Sequence, residues 1–288
     1  MHDSIQRFLF EHAPVRGEIV HLDATWRTVL EHHDFPPAVR ALLGEMMAAA
    51  ALLTATLKFG GTLIMQVQGS GPVTLLVVEC TSEHHMRATA KWSSVPPAGT
   101  LAALVGDAKF AITLDPGQGK PGYQGVVALD GATVAAALEQ YMLRSEQIET
   151  RLWLTAGDDR AAGMLLQKLP DAAGADPDAW QRATVLAASL TAQELANCDA
   201  RELLRRLYPT EDIRVWDARP VAFRCTCSRE RVAGMLRMLG RDEVTGILAE
   251  RGEVEVTCEF CNQRYRFDPS AADEVFAGAH VADSATRH

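Results

Sequence analysis

The chain has 288 residues, 48% of them apolar, and a formal net charge of -9. That length and apolar content suffice for one large domain plus a smaller one, with a sizeable core. The acidic balance opposes a phosphate backbone as main partner, because nucleic-acid affinity needs clustered Lys and Arg.

Residues Met1 to Phe8 contain no basic stretch followed by an apolar one, so no secretory signal is expected and a cytoplasmic location is assigned. From Pro37 to Phe59, Val39, Leu42, Leu43, Met46, Met47 and Ala50 recur at helical spacing ahead of a Gly60-Gly61 stop, which predicts a buried helix. Its apolar stretch, around Met46 to Leu57, falls short of the ~20 residues of a membrane span, and Thr54, Thr56 and Lys58 interrupt and end it. No membrane partner is expected.

Thr62 to Gln68, a Gly69-Ser70-Gly71-Pro72 turn and Val73 to Glu79 predict a hairpin, which Met86 to Trp92 extends. Two more strand pairs are predicted, Lys109 to Leu114 with Tyr123 to Leu129 and Arg151 to Thr155 with Gly163 to Lys168. A helix from about Thr133 to Ser145 lies between them. The expected class up to Pro170 is α+β, an antiparallel sheet domain with packed helices. The Ala, Gly, Asp and Pro residues of Asp171 to Asp178 mark a surface connection. Trp180 to Leu207 then reads as two or three short helices, broken at Thr191 and near Asp199, too weakly apolar to make a core alone. The expected division is a core domain over 1–170, a helical linker over 171–219 and a small zinc-binding domain over 220–288.

Four of the six cysteines stand in two close pairs, Cys225-Thr226-Cys227 and Cys258-Glu259-Phe260-Cys261. Four thiols are what a closed tetrahedral zinc site needs, whereas a catalytic zinc keeps a position open and usually employs His or carboxylate. No His occurs between Cys198 and Ala279 and no H-E-x-x-H anywhere, so the expected cofactor is one structural or redox-active Zn²⁺. Strand alternation in Glu253 to Thr257 and Arg264 to Phe267 puts Cys258 and Cys261 in a hairpin turn. Before it, Val221 to Phe223 reads as a strand, and two amphipathic helices follow with Ser228 as N-cap and Gly240 and Gly252 as stops. Zinc binding and folding of so small a region form one equilibrium. Thiolates react with peroxide or hypochlorous acid, so the site suits an oxidant-triggered switch. A static zinc module for protein or RNA interaction fits the same spacing, although Arg224 to Asp268 carries eight Arg against eight acidic residues and so no basic footprint.

Other signals point to ordinary structure. Gly117 to Gly122 matches G-x-G-x-x-G but lies between two predicted strands, with Pro121 where a dinucleotide helix would begin. His32-His33 and His84-His85 read as surface or loop residues, Met46-Met47 as core, Ser145-Glu146-Gln147 as a helix-ending turn, and Cys80 and Cys198 as buried. With no nucleophile and base pair, an enzyme is not expected.

Several segments in order resemble the redox-regulated chaperone family of heat shock protein 33. They are Arg16-Gly17-Glu18, Leu52 to Phe59, Gln68 to Pro72, Tyr123 to Val127, Arg144 to Gln147, Cys225 to Arg231 and Cys258 to Cys261. The resemblance implies an ATP-independent holdase, zinc-bound, monomeric and largely inactive when reduced. It implies that oxidation forms disulfides Cys225 to Cys227 and Cys258 to Cys261, releases zinc and destabilises the linker. A homodimer would then bind unfolding client proteins.

Overall fold

The computed structural model describes residues 3–96, 98–117, 119–129, 133–170 and 176–277. The chain divides into two compact units, Met1–Arg224 and Cys225–His288. The first holds two sheets around a central helix, in keeping with the α+β expectation.

One sheet has the order β10-β1-β2-β9-β8, formed by Ile213–Val215, Ser4–Phe10, Val15–Leu22, Ala161–Lys168 and Thr150–Ala156, with β11 (Arg219–Pro220) also pairing β1. The second runs β12-β5-β4-β3-β6-β7, or Ala222–Phe223, His85–Trp92, Val73–Thr81, Thr62–Gly69, Ala108–Asp115 and Tyr123–Val127. All pairings are antiparallel except that of β12 with β5. The predicted hairpins are therefore present, divided between the two sheets.

Between the sheets runs α2 (Pro37–Thr56), which touches both. It starts with proline at its first position, where the missing N–H costs nothing. Leu43, Met46, Met47 and Leu52 are fully buried. Each such side chain contributes about 1.5–3 kcal/mol relative to exposure. The helix is long and apolar enough to cross a membrane, contrary to the shorter stretch expected, yet 72% of that window is enclosed within this unit. It is the core helix, and Met46-Met47 is core as expected.

Of the smaller helices, α1 (Ala24–His32), α3 (Leu101–Val105) and α4 (Val134–Arg144) join the same core. Thr133 caps α4, its Oγ1 accepting from Ala136 N at 3.1 Å. After 171–175, which lie outside the described residues, come α5 (Ala179–Ala187), α6 (Ala192–Asn197) and α7 (Ala200–Leu207). The breaks fall at Thr191 and Asp199, both helix caps. These helices cover the other face of the first sheet: Leu195, Leu203, Leu204 and Tyr208 cluster with Phe8, Phe10, Ile19 and Met164. His21 on β2 adds a buried bond, its Nε2 lying 3.0 Å from Leu195 O. With helices on both faces, β2 is buried along nearly its whole length.

Unit 225–288 contains α8 (Arg229–Leu239), α9 (Arg241–Arg251), the hairpin β13 (Val254–Thr257) with β14 (Arg264–Phe267), and α10 (Pro269–Ala277). Its core is small: Val232, Leu236, Val244, Val254, Phe267, Ala272 and Val275. So few side chains give little burial to set against chain entropy, so a unit of this size calls for a staple such as a metal.

Candidate metal centre

Each cysteine pair is placed by a turn that the local sequence dictates. Ser228 follows Cys227 and caps α8, its Oγ accepting from Arg231 N at 3.3 Å, while Arg231 Nη1 donates to Thr226 Oγ1 at 2.8 Å. The second pair sits in the β13–β14 turn, closed by Cys258 N on Gln263 O and Asn262 N on Cys258 O, both at 2.9 Å. Asn262 takes the left-handed conformation (φ 54) that the turn needs, a role suited to Asn. Gly240 and Gly252 end α8 and α9 as expected, and Gly252 adopts a left-handed φ of 79 that a side chain would oppose.

These turns bring the four sulfurs of Cys225, Cys227, Cys258 and Cys261 within 4.8 Å of one another. Cys225 Sγ lies 3.7 Å from Cys258 Sγ, and Cys227 Sγ 3.4 Å from Cys261 Sγ. Four sulfurs ~2.3 Å from one zinc at tetrahedral corners stand ~3.8 Å apart, so the cluster fits that ion closely. All four thiols are free and half-buried. Burial raises the Cys258 and Cys261 thiols above the ordinary thiol range; Cys225 adds to the rise at both, while the contact between the two raises Cys261 and lowers Cys258. Such a group resists holding several thiolate charges by itself and accommodates them around a divalent cation. Four soft donors favour zinc over magnesium or calcium, and a full tetrahedron leaves no open position for substrate. Among the described residues this is the one cluster of three or more His, Cys, Asp or Glu groups suited to a metal.

The surrounding shell contains a group that the cysteine spacing did not signal. Tyr265 Oη donates to Cys227 Sγ at 3.1 Å. Tyr265 and Phe267 alternate on β14, so the strand period that buries Phe267 also turns Tyr265 toward the cysteines. Arg229 lies over the Phe267 ring, 4.2 Å from its centroid, and donates to Arg266 O at 2.8 Å, tying α8 to the hairpin.

The other two cysteines lie outside the cluster. Cys80 is fully buried, as expected, and burial pushes its thiol up to about 12. Cys198 is only half-buried, against expectation, because it follows α6 at the edge of its layer, where Arg206 Nη1 approaches its sulfur at 3.3 Å. His84 lies in the loop between β4 and β5, within the surface-or-loop expectation, but it is buried rather than exposed. It is 3% exposed with neither ring nitrogen partnered, and burial holds it down to about 4. Its left-handed φ of 59 in the β4–β5 turn, closed by His84 N on Thr81 O at 2.8 Å, directs the ring inward. The Gly117 to Gly122 loop joins two strands of one antiparallel pair, which leaves it no helix start for a phosphate; Gln118 lies outside the described residues. Glu146 accepts from Tyr141 Oη at 3.0 Å just beyond α4, in keeping with the turn expected there.

Comparison with known proteins agrees with this architecture. The family model described as "Hsp33 protein" matches residues 3–268. A "33 kDa chaperonin" of Methylobacillus flagellatus is 51% identical over 276 residues, covering 95% of this chain and 94% of the relative. One of Chromobacterium violaceum is 49% identical over 277 residues, covering 96% and 94%. The crystal structure of the 33 kDa chaperonin (heat shock protein 33 homolog) from Thermotoga maritima superposes with a TM-score of 0.81 at 21% identity, covering 96% of this chain and 99% of that one. On sequence over nearly its full length, the chain belongs to the Hsp33 protein family.

Proposed function

We propose that this protein is an ATP-independent holdase chaperone of the cytoplasm whose activity is switched on by oxidation at the four-cysteine centre. The reading rests on one observation above all, the convergence of four thiols in a unit whose apolar core is too small to stand alone. Residues 1–170 form the chaperone core, 171–219 the redox-sensitive linker and 220–288 the switch.

In the reduced protein Cys225, Cys227, Cys258 and Cys261 would hold one Zn²⁺. Bound zinc keeps the sulfurs as thiolates and supplies folding free energy on the order of 10 kcal/mol. Each pair, Cys225 with Cys227 and Cys258 with Cys261, gives up two electrons to peroxide or hypochlorous acid. One sulfur becomes a sulfenic acid, which its neighbour attacks to form a disulfide with loss of water. With its four thiolates consumed, the site would no longer hold the ion, and the unit would lose most of its stability. Unfolding of the switch then spreads along the chain to the linker helices. Their opening uncovers the apolar sheet face of Phe8, Phe10, Ile19 and Met164, a surface suited to unfolded chains and to a second protomer.

Aggregation of a heat-unfolding client, followed by light scattering, tests the proposal. Reduced, zinc-loaded protein suppresses it weakly, and protein treated with hypochlorous acid suppresses it strongly and sediments as a dimer. Oxidation that leaves suppression and mass unchanged would instead favour a static zinc module.

A further inference from the structure

Segments of the first unit that the cysteine centre leaves without a role meet at one place. A cavity of ≈ 340 Å³ takes Arg16 from β2, Leu53, Thr56 and Leu57 from the end of α2, Tyr123 from β7 and Glu146 from beyond α4. This size falls within the range of small-molecule sites. Leu63, Ile112, Leu114, Met142 and Ile148 make the remaining wall largely apolar.

The polar groups are held in place before any ligand arrives. Gly125 is what allows Tyr141 into the wall, since a Cβ there would lie 2.2 Å from Tyr141 Oη. Arg16 Nε and Nη2 donate to Gln167 Oε1 at 3.0 and 2.6 Å, and Gln167, 1% exposed, donates through Nε2 to Thr150 Oγ1 at 3.3 Å. Among the described residues no carboxylate stands within ion-pair distance of Arg16. Burial first, and then the charge of Arg7, disfavour its cationic form, with Glu18 only partly offsetting them. A half-buried guanidinium whose hydrogen-bond partner is an amide, with Glu18 acting on it only from beyond ion-pair distance, is short of counter-charge. Gln167 takes two of its five N–H groups, and the remaining three suffice for a fork on a carboxylate. Glu146 is exposed, so water screens its charge from such a ligand.

We propose that this cavity binds a small amphipathic carboxylate, its anionic head on Arg16 and its apolar chain or ring against Leu63, Ile112 and Leu114. The site lies wholly within the first unit and does not depend on the redox reading. Calorimetric titration of the full-length, reduced, zinc-loaded protein with octanoate, and with 1-octanol as the neutral probe of equal length, tests it. Octanoate is expected to bind at one site at least 10-fold more tightly than octanol. Arg16→Met should abolish that preference while octanol binding persists, and Leu114→Trp, which fills the cavity, should remove both. The Arg16→Met comparison decides the matter even if Leu114→Trp disturbs folding. Equal affinity for the two probes, octanoate binding unchanged in Arg16→Met, or uptake at many equivalent sites would overturn the proposal.

Discussion

Glu18 gives the first unit a pH dependence opposite to that of an ordinary surface carboxylate. It stands on β2, 3% exposed, with Oε2 unpartnered, and burial raises its carboxyl from 4.5 to about 7 despite the attraction of Arg219, Arg7 and Arg16. Between pH 4.5 and 7 the folded state therefore keeps a proton that the unfolded state releases. Stability from this group is complete below the unfolded value and is lost as pH rises through the folded one. A shift of ~2.5 units at 1.36 kcal/mol each makes the loss about 3 kcal/mol above pH 7. Glu45, raised by burial to about 7, adds a second contribution of the same sign. Glu18→Gln, which carries no charge at any pH, should gain up to about 3 kcal/mol over the parent at pH 8 and converge with it near pH 4.5. Urea unfolding by tryptophan fluorescence between pH 5 and 8.5 measures this, because all five Trp lie before residue 225 and report the first unit alone. Equal pH slopes in the two proteins would refute the reasoning.

Tyr265→Phe removes the hydroxyl that donates to Cys227 Sγ and should weaken zinc binding about 10-fold, the low end for outer-shell partners, as competition with a chromogenic chelator would read. Phe267→Ala deletes the 1% exposed ring at the centre of the small core. It should cost about 3–5 kcal/mol, and with folding coupled to the metal the same assay should show zinc affinity falling at least ~100-fold. Gly125→Ala pushes a methyl into Tyr141 and should destabilise the first unit by about 1–3 kcal/mol in urea unfolding.

What the sequence disclosed depended on how local its signals were. The core helix α2, the hairpins of the second sheet and the β13–β14 hairpin follow from periodicity and turn residues adjacent in the chain. Strands β1 and β2 escaped that reading. Covered on both faces, β2 runs Val-Arg-Gly-Glu-Ile-Val-His-Leu without alternation, because Glu18 and His21 are buried within it. Helix α1 has no N-cap side chain of its own. Asp3, some twenty residues earlier, accepts from Ala24 N at 2.9 Å and Thr25 N at 2.5 Å, and no local pattern records such a cap. At the candidate metal centre the clustering of the four cysteines was legible because four thiols in two close pairs have few uses, whereas the Tyr265 contact needed the folded hairpin. The cavity at Arg16 was hidden for a related reason: its lining comes from five distant stretches of chain.

The most direct test of the central claim follows zinc, thiols and chaperone activity in one sample titrated with hypochlorous acid. Zinc release read with a metallochromic indicator should track the loss of four thiols, and suppression of client aggregation should rise along the same curve. Zinc retained after those thiols have reacted, or released with no gain in suppression, would contradict the account.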